Sequence, residues 1–321
     1  MKTSAENKTK LISIVTPCFN EEDNVAELYR QVQEVLATLP EYRFEHIFID
    51  NDSKDRTVEI LKGIAARDRN VKIIVNSRNF GHLRSPTHGI LQAHGDAVIL
   101  LVADLQDPPP MIRDFVRKWE EGYKVVLGVK TNSEETPAMF MIRKMYYNLI
   151  GRLSDIELTK NNTGFGLYDR CIVEPLRRMD DPYPYFRGIV SEIGFEKAII
   201  EYLQPVRKRG ITKNNFYTLY DTAMLGITNH SRVPLRMATM LGFAMSALSL
   251  LVSIGYLAAK LVFWDRFSAG MAPVVIGLFF FSSVQLFFIG ILGEYIGLIY
   301  TQVQKRPLVI EKERINFDKD A

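Results

Sequence analysis

Cysteine is almost missing from this 321-residue chain: it has two, Cys18 and Cys171, with no CxxC spacing. Two thiols so placed build no disulfide framework and fit a reducing compartment with buried thiols. A surplus of either charge is missing too. Lys and Arg number 40 against 37 Asp and Glu, and a net charge of +3 leaves no electrostatic footprint for a nucleic acid. No GxGxxG occurs, the nearest fragment being Gly164-Phe165-Gly166, which removes the phosphate loop of a dinucleotide-dependent dehydrogenase; a Walker lysine motif is also absent. His82, His88 and His94 recur every six residues, which matches neither one helix face nor a zinc-ligand spacing. Near the start, Lys2, Lys8 and Lys10 lead into an apolar run of only five residues, Leu11 to Val15, too short for the core of a secretory signal. The N-terminal domain is therefore expected to stay in the cytosol.

What is present in excess is apolar sequence, and it is unevenly placed. Hydrophobic residues make up 47% and charged residues 24%, a composition for a folded chain of about two domains. No charge falls between Met237 and Ala259, or between Phe267 and Gly293. Each run is long enough to cross a ~30 Å hydrocarbon layer at ~1.5 Å per residue, so two transmembrane helices are predicted. Arg232 and Arg236 precede the first run, Lys305 and Arg306 follow the second, and the connection around Asp265 and Arg266 carries little charge. That asymmetry places both ends on the cytoplasmic side. Trp264 and Tyr300 suit interfacial belts. Gly293 and Gly297 form the single GxxxG of the two runs, slender support for a homo-oligomer.

Ahead of the spans, short apolar runs recur: Ile12 to Val15, His46 to Ile49, Val71 to Val75, Ala97 to Val102 and Val125 to Gly128. They are rich in Val and Ile without alternation, as in strands covered on both faces of a parallel sheet. Between them, Val25 to Leu39 and Thr57 to Ala66 carry apolar residues at helical spacing. This βαβ rhythm predicts a doubly wound sheet, whose ligands bind beyond the carboxyl ends of the strands. Three of those ends are acidic: Pro17-Cys18-Phe19-Asn20-Glu21-Glu22, Asp50-Asn51-Asp52-Ser53-Lys54-Asp55, and Ala103-Asp104-Leu105-Gln106-Asp107-Pro108-Pro109. One acidic loop is an ordinary turn or cap, with Ser53 or Asp55 suited to cap the next helix. Three along one edge call for a cation or a hydrogen-bonding ligand, such as a metal-bridged nucleoside diphosphate.

The order of these segments, together with Arg78-Asn79-Phe80-Gly81 and Arg207 to Lys213, resembles glycosyltransferase family 2. Within it the likeness is to the polyprenyl-phosphate glycosyltransferases similar to dolichol-phosphate mannose synthase, and the two C-terminal spans look most like the bactoprenol glucosyltransferases. The resemblance runs from Ser13 to about Pro307. It implies a GT-A type, doubly wound, mostly parallel α/β sheet followed by interfacial helices and two transmembrane helices. The layout it gives is a cytosolic catalytic domain over 1–206, a basic juxtamembrane segment over 207–234, the spans over 235–303 and a cytosolic tail over 304–321. By the same resemblance Pro17 and Glu21 flank the nucleobase and ribose of a UDP-sugar, Asp50 pairs with the uracil edge, and Asp104 and Gln106 hold the Mg²⁺ or Mn²⁺ that bridges the diphosphate. Oxygen ligands suit such hard cations.

Two departures from the family pattern bear on mechanism. The usual Asp-x-Asp has Val102 in its first position, leaving fewer protein ligands for the metal. The usual Gly-Asp-Phe-Arg-Leu reads Gly164-Phe165-Gly166 here, so the acid and the arginine are both glycine. A sugar-hydroxyl acceptor needs a general base to remove its proton. A phosphomonoester, with second pKa ~6, does not, so the departure favours polyprenyl (undecaprenyl) phosphate as acceptor. Asp155 or Glu157, just upstream, is the candidate to orient it. In Arg207-Lys208-Arg209-Gly210-Ile211-Thr212-Lys213 the cations Arg207, Arg209 and Lys213 are the candidates to clamp its phosphate, or equally a patch facing anionic headgroups. The expected activity is transfer of a hexose, glucose by resemblance, with inversion. Two alternatives are a processive polysaccharide synthase, which calls for a Gln-x-x-Arg-Trp signature that neither Trp119 nor Trp264 provides, and a non-catalytic nucleotide-sugar-binding scaffold.

Overall fold

The computed structural model describes residues 9–131, 159, 161–179, 181–205, 233–262 and 271–317. Its centre is an eight-stranded sheet. The elements in chain order are β1 (Leu11–Cys18), α1 (Val25–Leu36), β2 (Arg43–Asp50), α2 (Thr57–Ala65), β3 (Val71–Asn76), α3 (Gly81–Gln92), β4 (Ala97–Leu100), α4 (Met111–Glu120), β5 (Val125–Lys130), β6 (Asn162–Asp169), α5 (Arg170–Met179), α6 (Phe186–Ile193), β7 (Lys197–Tyr202), α7 (Val233–Val262), α8 (Met271–Gln304) and β8 (Glu311–Ile315). The strand order is β7-β5-β6-β4-β1-β2-β3-β8. All five predicted strands are present, and β4, β1, β2 and β3 run parallel.

Both faces of the sheet are covered, which is why the apolar runs do not alternate with polar residues. Ile12, Ile14 and Phe48 pack on one side with Val25, Leu28 and Val32 of α1 and Ile112, Phe115 and Trp119 of α4. Val15, Ile47 and Ile49 pack on the other with Ile90 of α3 and Ile172, Val173 and Leu176 of α5. Burial of each such aliphatic side chain stabilises the fold by ~1.5–3 kcal/mol. Gly89 of α3 belongs to the same fit: a Cβ there would stand 2.8 Å from Val15 Cγ1, so the helix lies directly on β1. Glu45 of β2 is an acid enclosed by its neighbours in the sheet. It accepts from the Ser13 hydroxyl, from Lys72 Nζ at 2.7 Å and from the His94 N–H at 2.8 Å. Burial works against its charge, yet these donors hold its pKa below the usual carboxylate value.

Three strands were not foreseen. β6 is antiparallel to both β4 and β5, and reads Asn-Thr-Gly-Phe-Gly-Leu-Tyr-Asp, with no apolar run to betray it. β7 extends the sheet beyond β5. The most consequential is β8, because residues 304–321 were read as a tail. Glu311–Ile315 instead pairs antiparallel with β3, and its charged sequence suits an edge strand. Between β7 and β8 lie two long apolar helices, α7 and α8, of 30 and 34 residues. Their side chains are largely exposed, Leu251, Phe279 and Val262 among them. Both contain stretches long and apolar enough to cross a membrane, Val233–Val252 and Gly277–Gln304, with mean hydropathy 1.7 and 1.6. Tyr295, late in α8, meets the backbone of Leu235 at the start of α7, so the pair is an antiparallel hairpin.

Candidate active site

The carboxyl ends of β1, β2 and β4 lie side by side, and each continues into a loop with a non-glycine residue at positive φ: Asn20 at 56°, Asp52 at 66° and Leu105 at 59°. Asn and Asp tolerate this region, whereas Leu105 is a strained exception. The Leu105 turn brings Asp104 and Gln106 together, with the Gln106 N–H 3.2 Å from Asp104 Oδ1.

The first two acidic loops satisfy each other. Glu22 Oε2 accepts from the Arg56 N–H at 3.0 Å, and Asp55 Oδ2 from the Glu22 N–H at 3.1 Å. Asn20 Oδ1 accepts from Lys54 N–H at 2.7 Å, and the Glu21 N–H donates to Thr57 Oγ1 at 2.8 Å. The expectation that three acidic loops demand a ligand therefore holds less force for these two. Asp55, rather than Ser53, accepts from the first N–H of α2, at 3.0 Å from Thr57 N. Asp50 is fully buried. Its oxygens accept from the Ser53 N–H at 3.0 Å and from the Ser53 hydroxyl, and burial raises its pKa against those bonds. A uracil edge would have to replace the Ser53 hydroxyl to reach it.

Asp104 and Gln106 are half-buried and offer hard oxygen donors, while Val102 offers none. Among the described residues no three His, Cys, Asp or Glu side chains form a metal cage. The donor set fits an open Mg²⁺ or Mn²⁺ site in which diphosphate oxygens and water complete the shell, and does not fit a fully protein-bound ion. Asp107, in the same motif, does structural work. The Tyr202 hydroxyl donates to its Oδ1 at 2.5 Å, tying the loop to β7, and burial pushes its carboxyl up to about 6 despite that bond and the charge of Lys130.

Asn51 was passed over as a mere neighbour of Asp50, and it organises the site. Its Nδ2 donates to Asn79 Oδ1 at 2.9 Å and to Gly81 O at 3.2 Å, and its Oδ1 accepts from the Phe80 N–H at 2.9 Å and from Asn76 Nδ2 at 3.2 Å. This fixes the Arg78-Asn79-Phe80-Gly81 loop and the start of α3. The signal in the sequence was Asn at three neighbouring strand ends. Both glycines of the altered family segment have backbone reasons. Gly164 has φ +97°, and at Gly166 a Cβ would run into the Val126 carbonyl of β5. Pro17, Val102 and Gly164 line one cavity of 280 Å³ with His82, Tyr185, Phe186 and Arg187. Glu21 stands on the β1 loop, where Asn24 Nδ2 donates to it at 2.6 Å. Asp155, Glu157, Arg207, Arg209 and Lys213 lie outside the described residues, as does the interfacial segment after them.

A parallel sheet wound by helices on both faces, with a carboxylate on a tight turn after its fourth strand and an antiparallel strand closing the crevice, is the catalytic unit of a GT-A glycosyltransferase. The sequence comparisons with known proteins agree. The glycosyl transferase family 2 model matches residues 13–175. The uncharacterized glycosyltransferase YkcC of Bacillus subtilis (strain 168) is 38% identical over 307 residues, 95% of this chain and 94% of that one. The bactoprenol glucosyl transferase of Shigella phage SfII is 34% identical over 303 residues, 94% of this chain and 97% of that one. Among solved structures, glucosyl-3-phosphoglycerate synthase from Mycobacterium tuberculosis with Mn²⁺, UDP and phosphoglyceric acid aligns at TM-score 0.47 and 16% identity, over 68% of this chain and 76% of that one. The chain belongs to glycosyl transferase family 2.

Proposed function

We propose that the protein transfers a hexose, glucose in the first instance, from a UDP-sugar to undecaprenyl phosphate at the cytosolic membrane face, with inversion. The observation that carries this is the reach of the similarity: the phage bactoprenol glucosyl transferase matches over 94% of this chain, the apolar hairpin included with the sheet. Pro17 and Glu21 border the nucleoside, with Asp50 behind Ser53 on the same side, and Asp104 with Gln106 faces the diphosphate. A divalent cation held there would neutralise the departing UDP. A phosphate oxygen of the lipid attacks the anomeric carbon, the bond from that carbon to the UDP oxygen breaks, and the electron pair leaves with UDP. The nucleophile is already an anion at neutral pH, so Gly164 is compatible with turnover where the family has an acid. Arg207, Arg209 and Lys213 bring positive charge to the incoming phosphate, and Asp155 or Glu157 orients it.

The helix pair supports a membrane reading with a defined topology. Because β8 rejoins the sheet that the chain left after β7, a hairpin through a bilayer returns to its starting side. Arg232, Arg236, Lys305 and Arg306 make that side cytoplasmic. Sealed right-side-out cells treated with protease should therefore keep residues 1–231 intact. The activity test is radiolabelled UDP-glucose, beside other UDP- and GDP-sugars, with undecaprenyl phosphate in detergent. Label should pass into an organic-extractable product. Equal transfer to undecaprenol, or none to any lipid, would sink the proposal.

A further inference from the structure

The cavity between α3, the ends of β1 and β4, the start of β6 and the first turn of α6 shares Pro17 with the nucleoside side of the site, and beyond that residue its chemistry is lopsided. Its described wall holds no carboxylate. Leu83, Ile90, Leu100, Val102 and Phe186 make it largely hydrocarbon, and its charge comes from Arg187; His82 stands at the rim, its pKa lowered by burial and by the neighbouring guanidinium. Arg187 is set in place from two sides. Its Nη1 donates to Asn162 O at 2.7 Å, and its guanidinium lies 5.3 Å from the centre of the Tyr185 ring. No carboxylate among the described residues pairs with it, and one such bond leaves most of a guanidinium's five N–H donors for a ligand.

We propose that this cavity seats the phosphate and first prenyl unit of the lipid acceptor, with Arg187 holding the phosphate. The inference rests on the lipid-phosphate reading above and gives it a location. A hexose buries hydroxyls that each require a hydrogen-bonding partner, and this wall supplies few. An alkyl phosphate needs one strong cation and an apolar sleeve, and both are here. At 280 Å³ the space lies near the lower end of ligand pockets, which start at ~300 Å³, too small for a whole nucleotide sugar. Its position matches the chemistry as well. Val102 lines it two residues before Asp104, so a phosphate at Arg187 approaches the sugar from beside the diphosphate site. An acid at position 102 would stand in the same cavity as that phosphate, whereas valine leaves the field positive. Arg187 is a phosphate-binding residue of the acceptor site, and His82 stands at its mouth.

The test uses the full chain in detergent, with farnesyl phosphate, farnesol and inorganic phosphate as probes in a binding assay without donor, and farnesyl phosphate as acceptor with radiolabelled UDP-glucose. Arg187→Ala should weaken farnesyl phosphate binding and raise its KM by roughly ten- to a hundredfold, as loss of a charge-assisted bond does, with the UDP-glucose KM within about twofold of wild type. Arg187→Lys should recover part of the loss. At the exposed rim, His82→Glu should raise the acceptor KM while His82→Lys leaves it unchanged or lower, an order that a purely structural role does not produce. Inorganic phosphate should bind more weakly than farnesyl phosphate, and farnesol weakest. If wild type binds farnesyl phosphate through Arg187 but transfers nothing to it, the proposed reaction fails and this site stands. If the Arg187 variants alter donor KM alone, if inorganic phosphate binds as tightly as the prenyl ester, or if wild type binds no prenyl phosphate, the site assignment is overturned.

Discussion

His88 Nε2 on α3 sits 2.7 Å from Glu311 Oε1 on β8, joining residues 223 apart in sequence. The pair is the middle rung of three. Arg84 Nη2 donates to Pro307 O at 2.6 Å, and Arg314 Nη2 to Gln92 Oε1 at 2.7 Å. Residues 84, 88 and 92 recur every fourth position and share one face of α3. The segment that follows the apolar hairpin is thus clamped along the helix from which His82, Leu83 and Ile90 line the cavity.

That clamp should respond to acid. Burial opposes the charge on Glu311, but hydrogen bonds from His88 and Arg314 prevail and hold its pKa at about 2 instead of 4.5. A depressed carboxylate contributes stability above its unfolded pKa and loses it as pH falls through the folded one. Hydrogen exchange of the β8 amides should therefore quicken, relative to those of β1, between pH 4.5 and 2. Glu311→Gln should show quickened exchange already at pH 7 and a flatter pH response. Unchanged β8 protection in that variant would remove Glu311 from the clamp.

A second pH effect lies in the core. His46 is buried against Phe48, with ring centres 4.0 Å apart, and Nε2 is 2.9 Å from Thr16 Oγ1. Burial lowers its pKa from 6.5 to about 3. Between those values the unfolded chain binds a proton that the folded one excludes, so stability is full above pH 6.5 and declines toward pH 3. His46→Asn, which cannot take up that proton, should flatten denaturation midpoints over this window, at a cost near neutrality of ~1–3 kcal/mol for the lost packing and hydrogen bond.

Asp104→Asn should lower turnover by a factor on the order of 100 or more, since it removes the one carboxylate of the proposed open metal site. Val102→Asp adds the ligand the family usually has and should lower the Mn²⁺ concentration for half-maximal rate. Near-normal, metal-dependent turnover in Asp104→Asn would show that this loop is not the diphosphate site.

Arg207→Ala or Lys213→Ala should raise acceptor KM roughly ten- to a hundredfold, equal to ~1.5–3 kcal/mol for a charge-assisted phosphate contact, and change donor KM little. With phosphate as nucleophile, kcat/KM should fall only below pH ~6, where the acceptor takes up its second proton. A limb at markedly higher pH would point to a protein base.

Restoring the family acid should fail. Gly164→Asp forces a side chain onto φ +97°, with the new Cβ 3.3 Å from Leu100 Cδ2. A loss of ~1–3 kcal/mol in stability is expected, without a gain in rate. A faster, equally stable variant would mean that the reaction lacks a base that the acid supplies.

By itself the sequence determined the doubly wound sheet, the five buried strands, the two apolar helices and the acidic strand ends. Those features rest on local rules: apolar runs with β-branched residues, helical spacing, and length against a bilayer. It also made Asp104 a candidate, through the third acidic strand end and the resemblance to the family's metal motif. Tertiary structure decided what depends on partners far along the chain. Asn162–Asp169 becomes a strand only because β4 and β5 offer edges to it, and Glu311–Ile315 only because the free edge of β3 can pair with so charged a segment. Asn51 looks like any loop asparagine until Asn76, Asn79 and Phe80 fold around it. Arg187 stands in no motif, and its role depends on a backbone carbonyl at Asn162 and a helix that begins at residue 81. Hydrogen bonds and cavities are made between segments, so periodicity within one segment cannot report them.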